Sequence, residues 1–367
     1  MGNRFLTLIT DLCGFASPLP GEAGEPQALS AQTTYWLLGV VLALLAVAYA
    51  VGRLMKRYPE GTLNPALIER FNRRIRVWWL MCAILVAAFL LGRVATVTLF
   101  GLVSFWALRE FITMTPTRRG DHRTLFWVFF VFTPAQYFLV GLSPETYEQM
   151  WGVRNRDFYA LYSIAIPVFA WLYIPARNAF SGDHKRFLER SAKIQAALFI
   201  CVYALSFAPA LLNLKLTTSH GAAWGQPGSN LPNAGLLFYF ILIVQLQDVL
   251  QDVWSRLVGR RVIAPAINAS RTWEGFLGGV TSATLMGALL WWATPFRFWE
   301  AACMSMVVAV MGFGGGMVMS AIKRDRGVAD YGTLVQGHAG VVDRIDSICF
   351  AAPVFYHLTR CFFSVVS

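Results

Sequence analysis

Ten separate runs of apolar residues, most of them about 18 to 22 long, leave this chain few folds to choose from. Runs of that length cross a hydrocarbon core as α-helices, which satisfy their own backbone polar groups. Strands of a transmembrane β-barrel alternate apolar and polar residues, and these runs do not. The composition agrees, at 56% hydrophobic and only 14% charged. Soluble domains carry roughly 25% charged residues, so this chain lacks the polar surface to cover a globule in water. The expected fold is all-α, a polytopic membrane bundle of about ten transmembrane helices.

The spans read as 34–52, 77–92, 94–108, 124–142, 158–175, 193–213, 234–254, 273–294, 300–320 and 347–365. Only Gly92 and Arg93 separate the second from the third, which form either a hairpin or one long tilted helix. Residues 1–33 read as an irregular, non-cytoplasmic leader, because Pro18, Pro20, Gly21, Gly24 and Pro26 break any regular element. Asp11 interrupts its first apolar run, so a cleaved signal peptide fits poorly. N-terminal transmembrane helices then occupy 34–232 and C-terminal ones 233–367. No internal repeat, low-complexity tract or soluble domain is visible.

Basic residues fix the expected orientation. Arg53, Lys56, Arg57, Arg70, Arg73, Arg74 and Arg76 follow the first span, and alternate loops repeat the pattern. These are Arg118, Arg119 and Arg123; Lys185, Arg186, Arg190 and Lys193; Arg256, Arg260, Arg261 and Arg271; and Lys323, Arg324 and Arg326. The intervening loops are poor in them, as in 214–233, where Lys215 stands alone. With both chain ends outside, every basic loop falls in the cytoplasm, which implies a multi-pass protein of a cell inner membrane. The net charge of +11 mostly reflects this asymmetry. Nucleic-acid binding would need a basic face with base-reading or stacking groups, and none stands out. Residues 64–76 read either as a basic amphipathic helix on anionic headgroups or as an ordinary positive flank. Cys13, Cys82, Cys201, Cys303, Cys349 and Cys361 show neither metal-ligand spacing nor a disulfide framework.

Charges at or beside membrane depth are costly and tend to mark sites. Asp248 and Asp252, four apart on one helical face, could hold a hard cation through oxygen ligands. They could equally pair with Arg256, Arg260 or Arg261. A denser place is 320–347, where Lys323, Arg324, Arg326, His338 and Arg344 interleave with Asp325, Asp330, Asp343 and Asp346. Gly327, Gly332, Gly337 and Gly340 let the backbone bend around a ligand. Cations, carboxylates and pliable backbone suit a nucleoside triphosphate with Mg2+; a solvated, salt-bridged loop would have the same composition. Asp343 and Asp346, three apart, project to one side if helical.

The segment SAIKRDRGVADYGTLVQGHAGVVDRIDS resembles the signature of phosphatidate cytidylyltransferases, also called CDP-diacylglycerol synthases. Ser320, Lys323, Arg324, Asp330, Gly337, His338, Gly340, Asp343, Arg344, Asp346 and Ser347 fall in register with it. Asp248, Gly259-Arg260-Arg261 and Thr272-Trp273-Glu274-Gly275-Phe276 resemble the family in order and spacing as well. The resemblance is strong over about 245–352; upstream, RIRVWW at 74–79 and SFWALREF at 104–111 look similar to a bacterial branch. It implies attack of a phosphatidate phosphate oxygen on the α-phosphorus of CTP, giving CDP-diacylglycerol and pyrophosphate in phospholipid biosynthesis.

The same resemblance implies Mg2+ as cofactor, with Asp248, Asp343 and Asp346 as its ligands and Asp330 nearby. Lys323, Arg324, His338, Asp343, Arg344 and Asp346 would be catalytic. Ser320, Arg271, Thr272, Trp273, Asp330, Gly337, Gly340 and Ser347 would bind substrate. CTP, phosphatidate and membrane lipid are the implied partners, and a homodimer is the assembly it allows. The chain departs from the family at several places. Gly316 stands where an acidic residue precedes the signature serine by four, and Ala329, Gln336 and Ala339 replace a lysine, a proline and a glycine. Asn268-Ala269-Ser270-Arg271 keeps the charge of the family's Ser-Pro-x-Lys but loses its serine and proline. Two functions therefore remain open: an active cytidylyltransferase, and a catalytically impaired relative that binds lipid or nucleotide. A transporter suits broken helices but lacks a paired repeat.

Overall fold

A computed structural model describes residues 79–114, 117–142, 159–217, 223–224, 233–328 and 340–364, with isolated positions between 39 and 50. The expected leader and most of the first span lie outside the described residues. Nine helices follow one another among the described residues. They are α1 (Trp79–Leu91), α2 (Arg93–Thr113), α3 (His122–Gly141), α4 (Tyr159–Ala179), α5 (Phe187–Asn213), α6 (Ala234–Leu257), α7 (Trp273–Leu289), α8 (Phe298–Arg326) and α9 (Val342–Phe363). Six of them, α2 to α6 and α8, are long and apolar enough to cross a membrane. The all-α membrane bundle is therefore what forms, while the count of ten is not reached among the described residues. The outward surface carries large apolar side chains such as Leu91, Leu102, Phe126, Phe138 and Leu172, as suits a bundle solvated by lipid.

Between α1 and α2 the chain breaks at Gly92, whose φ of 97° favours a residue without a Cβ. Thr96 Oγ1 reaches back to donate to the Ala88 carbonyl at 3.2 Å. Eight residues of straight helix would rise roughly 12 Å, so the two elements meet at a sharp turn. Wide π-helical turns interrupt α3 at Val128–Phe132, α4 at Ala165–Ala170 and α5 at Phe199–Ala204.

Contacts between elements put the basic segments on one face. Arg190 Nη2 meets Asp121 Oδ1 at 2.6 Å with both side chains buried, joining the start of α5 to the start of α3. Asp183 receives Arg118 at 3.1 Å and Arg190 at 3.0 Å; the hydrogen bond from Arg118 holds its carboxyl below the usual range. On the same face Glu110, near the end of α2, meets the start of α9. There too a short hairpin, β3 (Val262–Ala264) with β4 (Asn268–Thr272), links α6 to α7. At the opposite face a smaller pair, β1 (Leu216–Thr217) with β2 (Ala223–Trp224), bridges to Ser364 beyond α9. In the core, Phe240 stacks on Phe355 at 5.0 Å and Tyr239 Oη meets Ser305 Oγ at 2.6 Å.

Several helix ends differ from the sequence expectation: α2 runs to Thr113 rather than 108 and α5 starts at Phe187 rather than 193, and the two that border the basic face, at α8 and α9, have a polar cause. The last turns of α8 run on to Arg326, because Lys323, Arg324 and Arg326 complement the negative helix end and Gly327 (φ 68°) closes it. At α9 the helix starts at Val342 rather than 347, with Asp343 in its positive first turn. By contrast α7 stops at Leu289, and a 3-10 turn at Trp291–Ala293 completes the expected 273–294. The consequence is that Lys323, Arg324, Asp343 and Asp346 sit on helices, not on a loop outside the bundle.

Candidate functional site

Four elements meet on the basic face: the ends of α6 and α8, the start of α9, and the β3–β4 hairpin. Sequence-local features build the hairpin corner first. Thr272 Oγ1 caps α7 by accepting the Gly275 N–H at 3.1 Å, and it also donates to Ser255 Oγ on α6 at 3.1 Å. Glu274 Oε2 accepts the backbone N–H groups of Arg260 and Arg261 at 3.0 and 3.1 Å. The hairpin is then clasped to α8. Asn268 Nδ2 donates to Ser320 Oγ at 3.2 Å, and Arg324 Nε donates to the Ile267 carbonyl at 3.1 Å.

That scaffold presents Arg271 to the carboxylates of α6. Its Nη1 lies 3.4 Å from Asp252 Oδ1 and its Nη2 lies 4.0 Å from Asp248 Oδ1. Spacing suggested Arg256, Arg260 or Arg261 as the partners of Asp248 and Asp252; the guanidinium placed against both comes instead from the hairpin. Across from it, α9 contributes Asp346 and Ser347. Ser347 Oγ donates to Asp248 Oδ2 at 2.7 Å, and its backbone N–H donates to Asp346 Oδ1 at 2.7 Å. Two carboxylates from different helices thus converge on one serine. Asp343, one turn nearer the helix start, takes the Lys323 ammonium at 2.8 Å.

Close approach of α8 makes this convergence possible. A Cβ at Gly315 would lie 2.6 Å from the Asp346 carbonyl, so only glycine lets α8 rest against α9 there. Gly316 faces into the site itself. A Cβ built on it would lie 3.8 Å from both Arg271 Nη2 and Asp346 Oδ2, and 3.9 Å from Ser347 Oγ.

The expected site residues therefore fall into three groups. Asp248, Arg271, Asp346 and Ser347 come together, with the Lys323–Asp343 pair beside them. Ser320, Thr272 and Arg324 are engaged in holding the hairpin, and Trp273 stands half exposed at the start of α7. Asp330, Gly337 and His338, with Ala329, Gln336 and Ala339, lie outside the described residues; Gly340 is buried just before α9.

Among the described residues no three His, Cys, Asp or Glu side chains gather as a metal cage. Mg2+ does not require one, since it keeps several waters and is held through one or two carboxylates plus substrate phosphates. The Asp248–Asp346 pair is a donor set of that kind. Two anions drawn onto a single serine, one by its hydroxyl and one by its backbone N–H, repel each other unless a cation is near, and Arg271 supplies part of that charge.

Two groups were not singled out from sequence. Glu110, buried at the end of α2, accepts the Val342 N–H at 3.0 Å and so caps α9. A charge closing an apolar span was the available signal. Gln247 and Gln251, fully buried on α6, bond to each other at 3.0 Å beneath Asp248; two glutamines four apart gave no sign of this.

Comparison with known proteins bears on the same segment. The model of the family described as "Cytidylyltransferase family" matches residues 72–362. An uncharacterized protein of Escherichia coli K12, YnbB, is 32% identical over 330 residues, covering 88% of this chain and 97% of that protein. The phosphatidate cytidylyltransferase of Synechocystis is 32% identical over 153 residues, 41% of this chain and 51% of the relative. That of Staphylococcus haemolyticus is 31% identical over 120 residues, 32% of this chain and 46% of the relative. The chain thus spans about half the length of the phosphatidate cytidylyltransferases it matches. With a family match running from before α1 to the end of α9, this multi-pass membrane protein belongs to the cytidylyltransferase family.

Proposed function

We propose that the protein transfers a cytidylyl group from CTP to phosphatidate or a related phospholipid, giving CDP-diacylglycerol and pyrophosphate. The observation that carries this reading is the convergence of Asp248 and Asp346 on Ser347, beside Arg271 and the Lys323–Asp343 pair. In this reading the basic face is the cytoplasmic side of an inner membrane, where CTP arrives from water and the lipid headgroup from the bilayer. A phosphate oxygen of the lipid forms a bond to the α-phosphorus as the bond to the β-phosphate oxygen breaks, and pyrophosphate leaves.

Little covalent chemistry falls to the protein; its work is positioning and charge neutralisation. Asp248 and Asp346 would hold Mg2+, which when bound offsets phosphate charge. Ser347 fixes the Asp248 carboxylate by donating to it. Lys323 and Arg344 supply positive charge for phosphate oxygens, and the Arg324 clasp holds the hairpin so that Arg271 stays over the site. Purified full-length protein in lipid nanodiscs, given labelled CTP, Mg2+ and phosphatidate, should yield labelled CDP-diacylglycerol. Absence of product across Mg2+ concentrations and lipid headgroups would overturn the proposal.

One observation favours a second reading, a relative that binds nucleotide or lipid without turnover. The family's acidic position is Gly316, and the Arg271 guanidinium lies as close to it as the Asp346 carboxylate does, each 3.8 Å from a Cβ built there. A site with one carboxylate fewer and a fixed cation attracts a divalent ion less strongly. The same nanodisc sample separates the readings, because the second predicts CTP binding without pyrophosphate release.

A further inference from the structure

Asp252 has no part in the function proposed above, yet it makes the shorter of the two contacts to Arg271. Its Oδ1 accepts a hydrogen bond from Arg271 Nη1 at 3.4 Å, whereas Nη2 stands 4.0 Å from Asp248 Oδ1, beyond hydrogen-bond reach. We propose that Asp252 is a positioning residue, which holds the Arg271 guanidinium off Asp248 so that Asp248 can take a divalent cation. The inference rests on the reading in which Asp248 and Asp346 hold Mg2+ for CTP.

Local structure fixes the backbone of Arg271 and leaves the direction of its guanidinium to the groups around it. On either side, Asn268 Nδ2 donates to Ser320 Oγ at 3.2 Å and Thr272 Oγ1 donates to Ser255 Oγ at 3.1 Å. The Trp273 N–H then donates to the Arg261 carbonyl at 2.9 Å. From this anchor the long side chain crosses to α6, where Asp248 and Asp252 share one face about 6 Å apart along the axis. A planar guanidinium can lean towards either. Here Nη1 is on the Asp252 side, and Nη2 is on the side of the paired carboxylates, 3.8 Å from a Cβ built on Gly316.

Charge decides what that lean does. Asp248 Oδ2 already accepts Ser347 Oγ at 2.7 Å, so Arg271 and a divalent ion compete for Oδ1. A guanidinium hydrogen-bonded to Asp248 would neutralise it and repel the ion. The Arg271 and Asp252 side chains are only 18% and 23% exposed, and partly buried charges are screened less by salt than those at an open surface. Lys323 is held by Asp343 at 2.8 Å, which leaves Arg271 as the cation set against the α6 pair. Asp252 draws that cation one helical turn away from the oxygen the ion needs, and acts on the ion through Arg271 rather than by touching it.

The test reads Mg2+-dependent binding of labelled CTP to full-length protein in nanodiscs, which requires no turnover. Asp252→Asn removes the charge that holds the guanidinium, and Mg2+ half-saturation should rise about tenfold. Asp252→Glu keeps the charge and should restore the parent's value. Adding Arg271→Gln to Asp252→Asn removes the competing cation, and the Mg2+ requirement should fall to that of Arg271→Gln alone. If Asp252 were itself a metal ligand, the loss would persist without Arg271. That result, or an unchanged half-saturation in Asp252→Asn, overturns the inference. So does a parent whose CTP binding and melting temperature both ignore Mg2+. Asp252→Ser carries the same comparison if Asp252→Asn melts below the assay temperature, and Mg2+ titrated against melting temperature carries it where CTP binds too weakly to count. Product assays on the same samples keep the two readings apart. A raised Mg2+ requirement that Arg271→Gln rescues, with no CDP-diacylglycerol formed, leaves Asp252 in its role and removes the transferase. Product formed at one Mg2+ requirement by both the parent and Asp252→Asn does the reverse.

Discussion

Glu110 Oε2 accepts the backbone N–H of Val342 at 3.0 Å, across 232 residues of sequence. This single bond fastens the N-terminal half of the bundle to the first turn of the helix that carries Asp343, Arg344 and Asp346. The carboxylate also lies at the positive end of α9, where negative charge is favoured. Glu110→Ala leaves a buried N–H without its acceptor, a loss of about 1–3 kcal/mol. The expected outcome is a lower melting temperature with a higher KM for CTP and a smaller change in kcat. Glu110→Gln keeps an acceptor and should recover most of the stability. Equal KM values for the parent and Glu110→Ala would show that the cap does not position the site.

The Asp248–Asp346 pair and the Asp343–Lys323 pair make different predictions. If the first pair holds Mg2+, Asp248→Asn or Asp346→Asn should abolish Mg2+-dependent CTP binding and cut turnover by about a hundredfold or more. Asp343→Asn should leave Mg2+ half-saturation nearly unchanged while altering KM for the phosphorylated substrates, because it releases Lys323. Titrating Mg2+ against binding of labelled CTP in the three variants measures this. A large shift in Mg2+ requirement for Asp343→Asn alone would move the metal to the other pair.

How much of this could be read in the sequence depends on the range of the interaction. Apolar run length reveals the helices, since crossing a membrane is a local property of about 20 residues. The signature brings Asp343, Asp346 and Ser347 together because they are neighbours on one helix. What sequence spacing misassigns is the cation against Asp248 and Asp252. Arg256 is nearer in sequence, but the Thr272 cap and the Asn268–Ser320 clasp deliver Arg271 from a hairpin. Helix ends slip for a related reason. Hydropathy falls where Lys323 and Asp343 begin, yet charges of the right sign prolong a helix at its ends. Glu110 shows in the sequence only as a charge closing an apolar span; its role needs the fold, because its partner is a backbone group rather than a residue type.

Orientation of the basic face is open to direct measurement. Asp325 is exposed at the end of α8. In a background without the native cysteines, Asp325→Cys should resist a membrane-impermeant thiol reagent in intact cells and react once the membrane is opened. Labelling in intact cells would place the carboxylate site on the wrong side for CTP, and both functional readings would lose their nucleotide.

Gly316 offers the sharpest discrimination between catalysis and binding alone. It lies in the interior of α8, where glycine and aspartate are both poor helix formers, so Gly316→Asp costs little in backbone terms. There is room, since the nearest atoms to a Cβ stand 3.8 Å away. Those atoms also set the electrostatics. The new carboxylate would sit between the Arg271 guanidinium and Asp346, completing a set of three acids with Asp248. Without a divalent ion, three anions share one guanidinium in a half-buried place, and the variant should melt below the parent. With Mg2+, the third ligand should tighten the ion about tenfold, which is about 1.4 kcal/mol. Melting temperature therefore should rise at lower Mg2+ in Gly316→Asp than in the parent, because a ligand that binds only the folded state stabilises it by RT ln(1 + [L]/Kd), which grows once its concentration passes Kd. Turnover should rise alongside if the site is catalytic. A variant destabilised at every Mg2+ concentration, with no CDP-diacylglycerol formed by it or by the parent, would show that Arg271 has taken the place of the metal and that the protein binds without reacting.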